Sequence, residues 1–481
     1  MMKTSKTIMI LTLMIAMLLA GCSQSTSGKN EGGNTGSQGG EATAAPETGD
    51  KEPEKVKITI QYPKPDQEVE RLAMDDRIKR FQQQYPHVEI AKSDWHYSDG
   101  GAATLGVKLA AGEAPSYFNT YATEAKILTD NGYAADITKY LNDYEFKDQL
   151  NEKLLDIFKV DGKYYSFPQG GYVMTIGINA KLFRDKGVEL PGYDWTWDEL
   201  IEAAKAVNEP EKGIAGFAVA AKSNAAGWNL TNFMYQAGEF VEEIKDGKVT
   251  STFNSDAGLK VLELYRQLRW EHKVLPGDWN LENPDMSNLY KQGRLGIIFH
   301  NNSLNTGIND GGFNVEDAKI YPLPSMEKGS PNYAITGGNF FVINPQQSEA
   351  QQEMAFKFIT YDYFKESGIE NEAKKIEERQ SKNQVYVPDL MPYYSLDSEY
   401  AVKMTELHAE YPGVVYEFDK EFLNVFNQNA KAEPPFHAQD YYAIMTNIIQ
   451  EIFSNEKADL AKLLKEGSEK LQTEFLNKVE L

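Results

Sequence analysis

The chain has 481 residues, 41% hydrophobic and 12% aromatic, enough for two domains with substantial cores at about 100–200 residues each. Its 71 acidic against 49 basic residues leave a formal charge of −22, which argues against nucleic acid as a partner, because polyphosphate binding needs a basic footprint. A single cysteine excludes an intramolecular disulfide, so packing or bound ligand must supply stability.

Lys3 and Lys6 precede an uncharged run from Ile8 to Leu19, which Leu19-Ala20-Gly21-Cys22 closes. A basic start, a short apolar run and a small-residue site predict a secretory signal over 1–21, too short for a committed membrane span. Cys22 stands directly after the small pair, so this end resembles the lipobox of bacterial lipoproteins. The resemblance implies cleavage before Cys22 and a lipid on the new N-terminus. Residues 23–55 are mostly Ser, Gly, Thr, Asn, Gln, Glu and Lys and cannot bury enough surface to offset their ordering entropy, so 22–55 is expected to be a lipidated N-terminus and flexible linker. No later stretch approaches the roughly 20 apolar residues of a spanning helix. The expected location is the outer face of a cell membrane, reached by export and held by a lipid anchor alone, in a Gram-positive cell.

The body begins with Val56-Lys57-Ile58-Thr59-Ile60, an alternation that predicts a strand. A helix over about 68–84, ended by Tyr85-Pro86, and a strand at Val88-Glu89-Ile90 complete a βαβ unit. Ser116-Tyr117-Phe118, Ala134-Ala135-Asp136-Ile137 and Thr175-Ile176-Gly177-Ile178 continue the pattern as strands of an α/β sheet protein with crossover helices. Thr196-Trp197-Asp198-Glu199 is a capping box, followed by Leu200, Ala203, Ala204 and Val207 on one helical face, with Trp197 in the core. Further helices are expected over about 256–272 and 457–479.

Several chemistries are not advertised. Gly106 to Gly112 lacks the spacing, lysine and hydroxyl of a phosphate loop, and no dinucleotide fingerprint, zinc helix or nucleophile elbow is present. Asp278 to Asn283 alternates oxygen ligands but lacks the glycine and closing acid of a calcium loop. No metal and no cofactor is therefore expected, and no catalytic residue. His300, at a strand end, reads as structural.

A series of segments resembles the family 1 extracellular solute-binding proteins, the sugar-binding lipoproteins of bacterial ABC importers. Leu105 to Pro115 is similar to the family's helix ending in Ala-Ala-Gly-x-x-Pro. Asp161 to Pro168, Ile176 to Asn179 with Leu182-Phe183, and Thr196 to Leu200 follow in the family's order. Lys291 to Ile298 and Tyr321-Pro322-Leu323-Pro324 match two later motifs. The chain departs from the pattern at Ser116, where the family has Asp, and at Asn301-Asn302-Ser303, which replaces Gly-x-Trp. The resemblance implies a periplasmic-binding-protein-like fold (type II): two lobes, each an α/β sheet flanked by helices, joined by a hinge of crossing strands. Mapping the motifs gives lobe one as 56–171 and 345–387, and lobe two as 172–344 and 388–481, with Gly170 and Gly171 at the first crossover. The implied function is capture of a carbohydrate, an oligosaccharide, in the interlobe cleft by a monomer and its delivery to ABC permease subunits, without catalysis.

A sugar presents C–H faces to aromatic rings and hydroxyls to amides and carboxylates. The candidate contacts lie in loops after strands, where α/β sheets bind ligands. They are Tyr62 and Lys64 after the first strand, Trp95 and His96 after the second, and Asn119 and Tyr121 after the third. Gln169 and Tyr172 flank the glycine pair. Trp228 falls where the family often places a stacking aromatic, beside Asn229, and Asn301, Asn302 and Asn339 follow strands facing the cleft. Two other readings stay open: a lipid-anchored glycoside hydrolase, which would need two acids about 5–10 Å apart, and a glycan-binding or sensor protein with no transport role.

Overall fold

The computed structural model describes residues 54–65 and 67–479. The signal, Cys22 and the linker as far as Pro53 lie outside the described residues. The expected βαβ opening is present. Strand β1 (Val56–Gln61) runs parallel to β2 (Val88–Ser93), in register from Val56↔Val88 to Gln61↔Ser93. The helix Glu68–Gln84 makes the crossover and drops Phe81 into the core. Strand β3 (Tyr117–Tyr121) follows the helix Gly101–Ala111, which ends on left-handed Gly112.

Residues 134–137 do not form the expected strand. Ala134, Ala135 and Ile137 are buried, which explains their apolar pattern, but their backbone serves as a bridge. Ala135 N–H donates to Ile343 O (2.9 Å) and Ile137 N–H to Tyr164 O (2.8 Å). A hairpin comes next, β4 (Lys159–Val160) with β5 (Lys163–Tyr164), turning on Asp161-Gly162, both at positive φ.

Strand β6 (Phe167–Val173) is followed after two residues by β7 (Ile176–Asn179), and then come β8 (Ala215–Ala218), the hairpin β9 (Glu242–Lys245) and β10 (Lys248–Ser251), β11 (Leu295–Phe299), β12 (Ala318–Tyr321), β13 (Ala334–Ile343) and β14 (Ala430–Ala432). Two four-stranded arrangements result. One is ordered β12-β7-β11-β8; in the other, β13 carries β14 and β3 along one side and β6 on the other. The chain passes between these sheets twice, from β6 to β7 and from β12 to β13. β1 joins the β3 side through Ser116 N–H to Thr59 O (2.7 Å).

The Thr196–Glu199 capping box forms as expected, and buried Trp197 donates its indole N–H to Gln236 Oε1 (2.8 Å). The predicted 256–272 helix is α over Asp256–Arg266 and widens to a π turn over Gln267–Glu271, and the last helix is Leu460–Glu474 with a short 3-10 turn after it. One core gathers Ile58, Phe81, Tyr117, Phe341 and Phe358, and also takes Tyr400 and Met404 from the helix Glu399–Ala409. The larger core runs from Phe183, Trp197, Phe233, Tyr265 and Phe453 to Val173, Phe340 and Phe118 beneath the crossing strands. Each such buried ring contributes about 2 kcal/mol of apolar transfer energy.

Among the described residues, no helix is long and apolar enough to cross a membrane, and no group of three or more His, Cys, Asp or Glu side chains is gathered to hold a metal ion.

Candidate functional site

The site is built where β6 and β13 pass between the sheets. They pair antiparallel as Asn339↔Gly170, Gly338↔Gly171 and Gly337↔Tyr172, with an irregularity between Asn339 and Phe340. The two glycines of β6 are required for different reasons. Gly170 has φ +152°, a backbone angle side-chain-bearing residues rarely adopt. Gly171 lacks space instead: a Cβ there would lie 2.8 Å from both Leu154 Cδ2 and Met391 Sδ, and 3.0 Å from Gly337 O.

Tyr172 follows that pair and is held by a carboxylate. Its hydroxyl donates to Glu433 Oε1, and the Tyr442 hydroxyl donates to Glu433 Oε2 at 2.7 Å. Burial raises the Glu433 carboxyl against the pull of the two tyrosine hydrogen bonds, and the charge of Glu124 raises it further. The Trp228 ring stands edge-on to Tyr172, centroids 5.7 Å apart at 76°. Trp228 reaches this place because its neighbour is glycine: a Cβ on Gly227 would sit 2.3 Å from Tyr442 O, so only glycine lets the helix Ser223–Gln236 approach the helix Ala438–Ser454 this closely. Gly337 has the same role across the strand, since a Cβ there would meet Glu433 Oε1 and Tyr172 Oη at 2.6 Å.

Beside this cluster lies a cavity of about 780 Å³ between the residues after β3 and the loop before the helix Ala438–Ser454. Thr123 and Glu124 line one side, Phe436, His437, Gln439 and Asp440 the other. Glu124 accepts the Tyr97 hydroxyl, and burial raises its carboxyl despite that bond. His437, at φ +49°, sets Nδ1 2.8 Å from Asp440 Oδ2, and Gln439 Nε2 spans the cavity to Thr123 Oγ1 at 3.4 Å. The wall is a mixture of ring faces, carboxylates and amides.

The family description of bacterial extracellular solute-binding proteins matches residues 65–367. The chain belongs to that family. A protein of Brucella abortus (strain 2308) described only as a binding protein is 26% identical over 241 residues, 50% of this chain and 56% of that protein. The multiple sugar-binding protein of Streptococcus mutans is 27% identical over 184 residues, 37% of this chain and 39% of that one. The chain thus spans about half the length of the curated relatives it matches. Among solved structures, the ABC substrate-binding protein of Listeria monocytogenes in complex with cycloalternan has a TM-score of 0.67 at 20% identity, covering 88% of this chain and 99% of that one. That likeness shows the fold, the two-lobed α/β architecture expected of the family.

Within this solute-binding fold the residues singled out from the sequence separate into groups. Tyr172 and Trp228 come together at the crossing, and exposed Tyr121 precedes the Thr123–Glu124 wall, its backbone in register with exposed Asn339. Asn119 donates its N–H to Gln61 Oε1 (3.1 Å), while its Oδ1 is buried without a partner. Trp95 packs edge-on against Tyr97 and Phe118 at 6.4 and 6.1 Å, its indole N–H buried and unpaired. Other positions are engaged in holding the fold. Tyr62 is buried, donates to Asp75 Oδ1 (2.9 Å) and lies under Arg71 and Lys92, 4.5 and 4.0 Å from its centroid. Lys64 pairs with Asp99 at 2.8 Å. His96 is tied by both ring nitrogens, to Gln61 Nε2 (2.8 Å) and Tyr62 O (3.1 Å). Asn229 is fully buried, and its Oδ1 accepts from Ala220 N–H (2.9 Å). Asn301 is half-buried, and Asn302 accepts from Asn305 Nδ2 (2.9 Å). His300 accepts from Asn302 N–H at 3.1 Å and is pushed down to about 4 by burial. Gln169 lines a different cavity from the one beside Glu124 and His437.

The sequence reading missed Glu433, Tyr442, Glu124 and His437. One signal was available: Glu433-Pro434-Pro435 places an acid and two helix-stopping residues between a short strand and a long apolar helix, the setting of a functional loop.

Proposed function

We infer that this protein captures a carbohydrate, an oligosaccharide, in the cleft beside the crossing strands and delivers it to ABC permease subunits without breaking a glycosidic bond. The observation that carries the reading is the Tyr172–Trp228 ring pair braced by Glu433 and set on a strand that links the two sheets. Aromatic faces suit the C–H side of a sugar ring, and the amide and carboxylate groups of the adjoining cavity wall suit hydroxyls. A sugar lacking the matching hydroxyl leaves a buried polar group unpaired at about 1–3 kcal/mol, which is how such a site discriminates. The sugar-binding name of the Streptococcus mutans relative and the cycloalternan held by the Listeria monocytogenes protein support the same class of ligand.

In this reading the lobes are 56–171 with 345–387 and 172–344 with 388–481, the helix Glu399–Ala409 reaching back onto the first core. They close about Gly170 and Gly171, to the extent that ligand prefers the closed state. The protein is a monomer tethered through Cys22 outside the membrane. Calorimetric titration against a panel of mono- and oligosaccharides, with a reducing-sugar assay on the same mixtures, tests it. Saturable binding with no new reducing ends is expected; release of reducing sugar, or no binding across the panel, overturns it.

A further inference from the structure

A second cavity, of about 790 Å³, shares no lining residue with the one beside Glu124 and His437. Its size falls in the roughly 300–1,000 Å³ range of small-ligand pockets. The helices Glu68–Gln84, Glu366–Ser381 and Glu399–Ala409 wall it, the segment after Asp389 lines it, and Gln169 borders it where β6 begins its crossing.

Three polar groups converge there without being used up by the fold. Gln169 Nε2 and His408 Nε2 are buried and have no hydrogen-bond partner. Asp389 is exposed, yet burial among the surrounding atoms raises its carboxyl, with the charge of Glu372 adding to the effect. Asp389 lines the cavity. Tyrosine rings make the adjoining wall, Tyr363 to Tyr393 at 4.4 Å and Tyr393 to Tyr394 at 5.2 Å, each pair fixed by tilted or edge-on packing. Several of the charges nearby are already matched, Arg77 and Arg80 on Asp362 at 3.1 and 2.7 Å and Lys375 on Glu372 at 2.9 Å, while Glu70 and Lys374, of opposite sign, also line the cavity. What remains is an amide N–H, an imidazole nitrogen, ring edges and charges of both signs at Asp389, Glu70 and Lys374, a set that offers donors and acceptors to hydroxyls and edges to C–H groups.

We propose that this cavity is a second saccharide site, taking one neutral sugar unit independently of the cleft at Tyr172 and Trp228. It rests on the carbohydrate reading above and adds a place and a ligand charge to it. The test is calorimetric titration of the full chain with maltotriose and with N,N′-diacetylchitobiose, for wild type, Trp228→Ala, Asp389→Asn and His408→Gln. Two binding events per chain are expected. The weaker should survive Trp228→Ala and fall at least about tenfold in Asp389→Asn and His408→Gln, with the tighter one unchanged by these two. A single event lost with Trp228 overturns the second site while leaving the cleft reading intact. A second event indifferent to both cavity variants overturns it as well. No heat from either probe counts against both readings together.

Discussion

Tyr172 donates its hydroxyl to Glu433, a residue 261 positions further along the chain, and so ties the strand that crosses between the sheets to the loop that borders the cleft. The same carboxylate receives Tyr442 from the helix behind it. One buried acid therefore holds both rings by their hydroxyls.

Replacing Glu433 with alanine leaves both tyrosine hydroxyls buried and unpaired, at about 1–3 kcal/mol each. Glu433→Ala should lower unfolding free energy by about 2 kcal/mol or more in denaturant titration, and Tyr442→Phe by about 1 kcal/mol, since it removes one bond at Glu433 Oε2 while Tyr172 still holds Oε1. Equal losses for the two variants would mean that Glu433 does not organise the cluster.

Asp362 is the anchor of the first core's helices. Burial works to raise its carboxyl, but Arg80 and Arg77 overcome that and hold it at about 2. A depressed folded value means that its stabilisation is complete above the ordinary carboxylate range and is lost as pH falls from about 4 toward 2. Asp362→Ala should cost about 3 kcal/mol at pH 7, because it leaves partly buried Arg77 without its acid and Arg80 with only the more exposed Asp76. The gap from wild type should narrow as the pH of the melt is lowered; a gap independent of pH contradicts the assignment.

Glu242 has the opposite sign. Burial pushes it up to about 8 even though Phe436 N–H donates to one oxygen at 2.7 Å, and its other oxygen has no partner. With a raised folded value, the contribution is full below about pH 4.5 and is lost as pH rises toward 8. Glu242→Gln, which keeps the shape without the charge, should therefore gain melting temperature relative to wild type at pH 8 and show little difference at pH 5. Equal shifts at both values would refute the raised carboxyl.

The sequence carried some of this and could not carry the rest. Thr196 and Glu199 announced their helix because a capping box is local, and β1–helix–β2 announced itself through alternation and Pro86. Ala134 to Ile137 misled, since burial without strand pairing leaves the same apolar pattern. Trp228 and Tyr172 stood out by their glycine neighbours, and those glycines are needed for helix approach and strand crossing. Glu433 did not stand out. Its role depends on Tyr172 and Tyr442, and a contact spanning 261 positions leaves no mark on spacing. Tyr62 and Asn229 followed the same loop-after-strand or near-aromatic logic as the cleft residues, and only the packed structure shows the Tyr62 hydroxyl on Asp75 and Asn229 Oδ1 accepting from Ala220.

Gly170 tests the crossing itself. At φ +152° an alanine is strained by about 1–3 kcal/mol, so Gly170→Ala should lose that much stability, whereas Gly112→Ala, with open space around it at φ +70°, should lose about 1–2 kcal/mol. If Gly170→Ala matches wild type in chemical denaturation, the crossing does not depend on that backbone angle.

The most direct measurement is a crystal structure of the chain with the best-binding saccharide of the titration panel. The account predicts a sugar ring against Trp228 and Tyr172, with hydroxyls reaching the amides and carboxylates between Thr123 and His437. Density for the sugar elsewhere, with that aromatic pair left unchanged and untouched, would contradict it.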